Sequence, residues 1–405
     1  MGMLLVLEAE NCECLSENRL QNKLTEVKMD LNLSREHELL RDMVKEFANS
    51  ELAPRALELD NKGEFFWEQV KRSGQLGLIG VINSKEYGGM AMGHLARMIL
   101  IEEISRVYPP MGFFHQTGNL LMYAIETFGN DQQKKKYLPA LCKGDKVSAF
   151  ALTEASGGSD PANMQTEATL KGNDYVINGR KCWITAVDPA DVVGFVAKTG
   201  DKFSAFIVEK GTPGFEVTRR EETIGLRSLP VNEFALTNCR LPKENLIGEE
   251  GRGLVCALTT IATIGRTGAA GVALGIARGC YEIALKFAKE RILYGKPIAA
   301  LQAIQFMLAD MNVEIEAAKW LCYSTAWQLD QGKTSRDLAV DIARCKLYAV
   351  DVANRCAHKA VDIMGAYGLS PEYRVIGLLR DALELGVAAG SQEVMKVTIG
   401  ATITR

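Results

Sequence analysis

Hydrophobic periodicity switches twice along this 405-residue chain, and the double switch limits its possible folds more than any single motif does. From Ser34, apolar residues recur at Leu39, Leu40, Met43, Val44 and Phe47, the period of an amphipathic helix that ends near Pro54. Helical segments follow at Phe66 to Leu76, Met90 to Val107, Asn119 to Phe128 and Asp131 to Cys142. Near residue 149 the period becomes two. Tyr175-Val176-Ile177 and Cys182-Trp183-Ile184-Thr185 flank Asn178-Gly179, which reads as a hairpin turn. Strand patterns continue at 192–196, 203–208, 214–218 and 231–236. From Leu254 helical runs return at roughly 254–292, 299–330, 335–366 and 371–400, the pattern of a bundle.

The sequence therefore reads as α+β, in the order α, β, α: a tail over 1–28, an N-terminal α-helical domain over 29–148, a middle β-domain over 149–253 and a C-terminal four-helix bundle over 254–405. Lys and Arg total 47 against 50 Asp and Glu, a net charge of -3, which removes the basic footprint of a nucleic-acid binder. The run Met3-Leu4-Leu5-Val6-Leu7 is too short to span a bilayer and is followed by Glu8, Glu10, Glu13 and Glu17. Neither a signal nor a transit peptide fits, so no membrane span and a cytoplasmic location are expected. Ten cysteines, among them Cys12 and Cys14, form no CxxC pair and read as reduced, buried thiols. The four histidines, His37, His94, His115 and His358, are too dispersed to suggest a metal site, and none is expected.

The common nucleotide, hydrolase and zincin motifs are absent: no GxGxxG after a strand, no GxxxxGK[ST], no GxSxG and no HExxH. The informative stretch is Ala151 to Asp160, where glycines allow close backbone approach and Thr153 and Ser159 offer hydroxyls to a planar or phosphorylated ligand. A plain linker of turn residues is the competing reading. Further on, Trp183 and Thr185 present an indole and a hydroxyl in alternation, although a core tryptophan would look the same.

Together these segments resemble the acyl-CoA dehydrogenase family, flavoenzymes with the same α, β, α order. The resemblance extends through Arg291-Ile-Leu-Tyr294-Gly295-Lys296, Gln302 with residues 303–311, and Arg380-Asp381-Ala382. It implies FAD, an acyl-CoA substrate, an electron-transferring flavoprotein or similar acceptor, and a homo-oligomer, a tetramer, in which one subunit completes another's flavin site. Carried over, it places Thr153, Thr185, Trp183, Ser159 and Ser391 at the flavin and Arg291, Tyr294 and Gln302 on a partner's FAD. Ser159, Arg266, Phe113 and Gln116 would then line the CoA ester site.

The resemblance also exposes a departure. Most members carry a glutamate seven residues after Arg-Asp-Ala that removes the α-proton while hydride passes to flavin; here that position is Ala389. A minority carry it just before the arginine matched by Arg266, where this chain has Gly265. Asp362 and Ala366 also replace a usual Gln and Gly near the adenine site. The backbone N–H of Ala389 still offers a donor to the thioester carbonyl. Glu384 lies too far along the chain and Glu393 falls where Gln is usual, so His115 is the expected replacement base. The sequence predicts an FAD-dependent oxidoreductase on a CoA thioester with non-standard proton abstraction, as in relatives acting on cyclohex-1-ene-1-carboxyl-CoA. Two alternatives stand beside it: a non-redox flavin enzyme like 3-sulfinopropionyl-CoA desulfinase, and a non-catalytic subunit binding a CoA ester or flavin.

Overall fold

The structure, a computed structural model, describes residues 32–404. The chain divides into two compact units, residues 1–39 and 40–405, and the expected tail over 1–28 lies outside the described residues. Helix α1 (Arg35–Phe47) runs on as a π-helical turn, Ala48–Leu52, before α2 (Ala56–Lys62) and α3 (Trp67–Gln75). Two long helices follow, α4 (Gly93–Val107) and α5 (Pro109–Phe128), then α6 (Asp131–Cys142). Helix α5 begins ten residues earlier than periodicity predicts. Pro109 and Pro110 occupy its first turn, where a missing N–H costs nothing, and its residues are buried nearly all round, which erases the period.

Eight strands form one sheet: β1 (Ser148–Ala151), β2 (Glu167–Lys171), β3 (Asp174–Thr185), β4 (Val192–Thr199), β5 (Lys202–Glu209), β6 (Phe215–Glu221), β7 (Val231–Pro242) and β8 (Leu246–Ile247). Their order is β6-β7-β3-β2-β4-β5-β8, with β1 parallel to β4 off that path. The predicted hairpin at Asn178-Gly179 is not there. β3 passes straight through it, and the turn falls at Gly172-Asn173, with Lys171 paired to Asp174. Gly179 instead sits at a register shift against β7, and a Cβ there would lie 2.4 Å from Thr166 Oγ1. The dipeptide signals a bulge, which accommodates the same residues as a turn.

The C-terminal helices are α7 (Gly253–Thr260), a π-helical turn Ile261–Arg266 and α8 (Thr267–Glu290), then α9 (Gln302–Asp330), α10 (Ala339–Met364), the short α11 (Ala366–Leu369), α12 (Arg374–Glu384) and α13 (Gln392–Ile403). The run Gly253–Glu290 is long and apolar enough to cross a membrane, but 67% of that window is buried inside the protein. The predicted last helix, 371–400, is broken at residues 385–391. Gly386 and Gly390 weaken it there, and Ser391 restarts it as an N-cap, accepting from Val394 N. All eight cysteines from Cys142 to Cys356 are buried and free; Cys12 and Cys14 lie outside the described residues.

A glycine row on α8 brings it against α4. Cβ atoms on Gly271, Gly275 and Gly279 would lie 3.0 Å from Met98 Sδ, 2.5 Å from Glu102 O and 2.3 Å from Arg106 O. Gly275→Val should therefore destabilise the fold by about 2 kcal/mol or more. Gly400→Ala, where nothing stands within 4 Å, should be neutral or slightly stabilising. Thermal unfolding of both variants checks this: equal melting temperatures would mean that the α4–α8 contact can open without cost.

Candidate active site

Two features of β3 aim Trp183 outward. The β3–β7 register slips between Lys181 and Ile184, and Trp183 takes the left-handed backbone conformation with φ 58°. Its neighbours Cys182 and Ile184 are buried, whereas the indole is 59% exposed and stacks on no other ring among the described residues. A non-glycine residue in this conformation stores about 1–3 kcal/mol, so the surrounding strands hold the indole in place. Two residues on, the Thr185 side chain is half-buried.

The loop after β1 is fastened to the same strand. Thr153 O accepts from Cys182 N at 3.1 Å. Beneath it, Lys181 Nζ donates to Glu154 Oε1 at 2.7 Å and to Leu152 O at 3.1 Å, with both side chains buried. Glu154 also accepts from the Gln165 and Thr166 N–H groups. Burial opposes both charges, yet Lys181 and these donors hold the Glu154 carboxyl below its ordinary range, while Lys181 is lowered by desolvation that Glu154 only partly offsets. Sequence reasoning passed over this pair; a lysine and a glutamate flanking the Thr153 and Trp183 motifs were the available signal. The Thr153 and Thr185 hydroxyls have no internal hydrogen bond among the described residues, and Ser159 stands exposed on the loop.

A second cluster surrounds Ala389. Ala389 has φ 55°, and its Cβ lies 3.5 Å from where a Cβ on Gly265 would stand. The two positions from which family members supply a glutamate are thus one place in space. Gln116, 2% exposed, reaches it too, its Nε2 donating to Gly265 O at 3.3 Å while its Oε1 is unpartnered. Arg266 lies across the next residue, its Nε 3.7 Å from a Cβ placed on Gly390. From behind the loop, Lys346 Nζ donates to Gly390 O at 2.9 Å, Gln392 Oε1 at 3.0 Å and Gly386 O at 3.3 Å. Burial, then the Arg266 charge, push the Lys346 pKa down to about 8.

His115 does not join this cluster, which corrects the expectation that it acts as base. Its Nε2 is 2.9 Å from Ser73 Oγ on α3, and burial pushes its pKa down to about 3. The side chain that reaches Gly265 is its neighbour Gln116. Phe113 is buried on the same helix. Neither acidic candidate substitutes: Glu384 accepts from Gly225 N at 2.8 Å, and Glu393 is fully exposed in the first turn of α13. Ser391 serves as that helix's N-cap.

Arg291, Tyr294 and Gln302 form a separate group on the surface knob between α8 and α9. Arg291 Cζ lies 5.5 Å from the Tyr367 ring centroid, Tyr294 is 90% exposed at the tip of a two-residue hairpin, and Gln302 opens α9. Asp362 and Ala366 are also exposed.

Three family descriptions cover the chain: the N-terminal domain of acyl-CoA dehydrogenase over residues 34–145, the middle domain over 149–239 and the C-terminal domain over 251–404. The short-chain specific acyl-CoA dehydrogenase of Clostridium acetobutylicum is 40% identical over 383 residues, covering 93% of this chain and all of that one. Butyryl-CoA dehydrogenase from Megasphaera elsdenii has a solved structure that superposes with a TM-score of 0.90 at 35% identity, covering 93% of this chain and 100% of that one. A structure described under the electron transferring flavoprotein of Acidaminococcus fermentans gives the same TM-score at 36% identity and the same coverage. The chain belongs to the acyl-CoA dehydrogenase family. It is an FAD-dependent CH–CH oxidoreductase acting on CoA thioesters. Its residues fit the cofactor: an exposed indole held out by a bulge, two hydroxyls free of internal partners, and a surface guanidinium suited to phosphate.

Removing one partner of the buried pair should open the Thr153 loop. Lys181→Met should cost about 3–5 kcal/mol in stability and lower the FAD retained per chain, read from the flavin absorbance of the purified variant. Full flavin content in a destabilised variant would separate the pair from the cofactor. The Lys346 shift sets a pH limit. Below about pH 8 the ammonium can give all three hydrogen bonds, and above it the amine can give only two. Turnover should fall through an alkaline limb near that value, and Lys346→Met should lower activity at all pH values and erase the limb. A flat profile in the parent enzyme would contradict this.

Proposed function

We propose that this protein oxidises a CoA thioester without a side-chain carboxylate at the family's α-proton position, acting on an acyl group, such as a cyclic one, that yields its proton elsewhere. The observation that carries this reading is the contact between Ala389 and Gly265, which leaves no carboxylate at either position. Bound FAD supplies a two-electron acceptor. The protein's own part is to position the ester: the Ala389 N–H is aimed by a loop pinned by Lys346 and serves as donor to the thioester carbonyl. Thr153, Ser159, Trp183, Thr185 and Ser391 hold the flavin, and Ser159, Arg266, Phe113 and Gln116 face the CoA ester. Likeness to the Acidaminococcus fermentans structure supports an electron-transferring flavoprotein as acceptor. Eight free, buried cysteines support a reducing compartment, the cytoplasm.

The working unit in this reading is a homotetramer. Phe306, Val313 and Trp320 recur every seven residues on α9 and are 61%, 69% and 41% exposed, a stripe suited to another copy of the chain. The Arg291–Gln302 knob would then reach a partner's FAD. Light scattering of the FAD-loaded protein should give a tetramer mass; a monomer that holds FAD tightly would contradict the arrangement.

Anaerobic flavin bleaching tests the reaction. The parent enzyme should reduce its flavin slowly with butyryl-CoA and faster with a cyclic acyl-CoA. Ala389→Glu should speed the butyryl-CoA reaction by about 10² to 10⁴. Rapid oxidation of butyryl-CoA by the parent enzyme would overturn the proposal.

A further inference from the structure

Backbone strain is concentrated along one route between the two halves of the site. Seven non-glycine residues among those described take the left-handed conformation, and four of them, Trp183, Ala186, Leu226 and Ala389, lie on this route with φ of 58°, 61°, 48° and 55°. Each such residue costs about 1–3 kcal/mol and persists only where its surroundings hold it. The route starts at Thr185, whose successor Ala186 donates its N–H to Pro230 O at 2.7 Å. Pro230 closes the segment of residues 222–230 that joins β6 to β7. That segment turns on itself, with Leu229 N donating to Leu226 O at 2.8 Å, and there it meets α12.

Two acidic side chains of α12 make the junction. Asp381 Oδ1 accepts from Leu226 N at 2.7 Å, and about one helical turn on, Glu384 Oε1 accepts from Gly225 N at 2.8 Å. Gly225 lies so close to the helix that a Cβ there would stand 2.4 Å from Arg380 O. Helix α12 is itself bolted down, because Arg380 Nη2 donates to Asp60 Oδ2 of α2 at 2.8 Å and Arg374 Nη2 donates to Val107 O at the end of α4 at 2.9 Å. A hydrogen bond between Ser228 and Tyr108 fixes the segment from its other side. Beyond Glu384 the chain runs straight into the loop carrying Ala389, and Val387 N and Ala388 N both donate to Glu384 O, at 3.2 Å and 3.3 Å. The same glutamate thus holds the segment with its side chain and the loop with its carbonyl.

Resting on the reading that Thr185 faces the flavin and the Ala389 N–H faces the thioester, we propose that Asp381 and Glu384 are positioning residues for the redox step. By holding the Leu226 and Gly225 N–H groups they set the spacing between the end of β3 and the Ala389 loop, and with it the alignment of ester and flavin. A misplacement of about 1 Å caused by a residue remote from the chemistry can cost about 10²-fold in rate. Neither carboxylate touches the flavin or the ester in this arrangement, so the effect falls on transfer and not on affinity.

Anaerobic stopped-flow bleaching of the FAD-loaded protein by butyryl-CoA and by cyclohex-1-ene-1-carboxyl-CoA separates the two, because its concentration dependence gives a limiting rate and a half-saturating concentration. Asp381→Leu should lower the limiting rate about tenfold or more and leave the half-saturating concentration and the flavin content within about twofold of the parent. Asp381→Asn, which keeps an acceptor oxygen for Leu226 N, should keep most of the parent rate. Hydrogen exchange in the same FAD-loaded proteins is a readout free of turnover: peptides covering 223–230 and 385–391 should exchange faster in Asp381→Leu, and as in the parent in Asp381→Asn. If Asp381→Leu does not fold, Glu384→Leu against Glu384→Gln makes the same comparison at the half-buried carboxylate. An Asp381→Leu variant with the parent's limiting rate overturns the proposal, and so does one that loses flavin or ester affinity as steeply as rate. An Asp381→Asn variant as slow as Asp381→Leu overturns it too. If no ester bleaches the parent's flavin, the reading of the site fails by itself and exchange at 385–391 decides the proposal: faster exchange in Asp381→Leu supports the link, and unchanged exchange overturns it.

Discussion

The close approach of α4 and α8 fixes the geometry on which the rest of the site depends. Gly271, Gly275 and Gly279 remove the side chains that would keep the two helices apart, and Gly268 extends the same contact to the π-helical turn. Only at that separation can Arg97 reach the displaced carbonyls of Thr263 and Ile264. That turn in turn sets Gly265 beside Ala389 and Arg266 beside Gly390. Packing between two helices thus determines the distance between residues more than a hundred positions apart in sequence.

What this packing encloses is unusual in charge rather than in shape. The loop carrying Ala389 is pinned by a buried lysine and faced by a half-buried arginine, and a neutral amide, Gln116, binds the carbonyl of Gly265 beside it. A site built this way stabilises negative charge that develops on a thioester oxygen at the Ala389 N–H. It offers no carboxylate at the two family base positions, and His115, held by Ser73 and neutral, does not repair that.

Much of this was legible in the sequence where the signal is periodic or tied to a motif. The α, β, α order follows from two changes of period, and the alternation at the end of β3 leaves Trp183 exposed and Thr185 half-buried. The misreadings have physical causes. Asn178-Gly179 satisfies a bulge as readily as a turn, so a local signal could not choose between them. Helix α5 is buried all round and shows no period at its start. His115 and Gln116 adjoin in sequence, but about 100° of helical rotation sends one to Ser73 and the other to Gly265. The Glu154–Lys181 pair is a property of burial and of distances across the fold, which residue order does not carry.

A crystal structure of the FAD-loaded protein with an unreactive thioether analogue of a short acyl-CoA measures the central claim most directly. The account predicts the carbonyl oxygen of the analogue about 3 Å from the Ala389 nitrogen, with no protein carboxylate within about 4 Å of the α-carbon. A glutamate or aspartate of this chain or of a neighbouring copy seated at that carbon would contradict it.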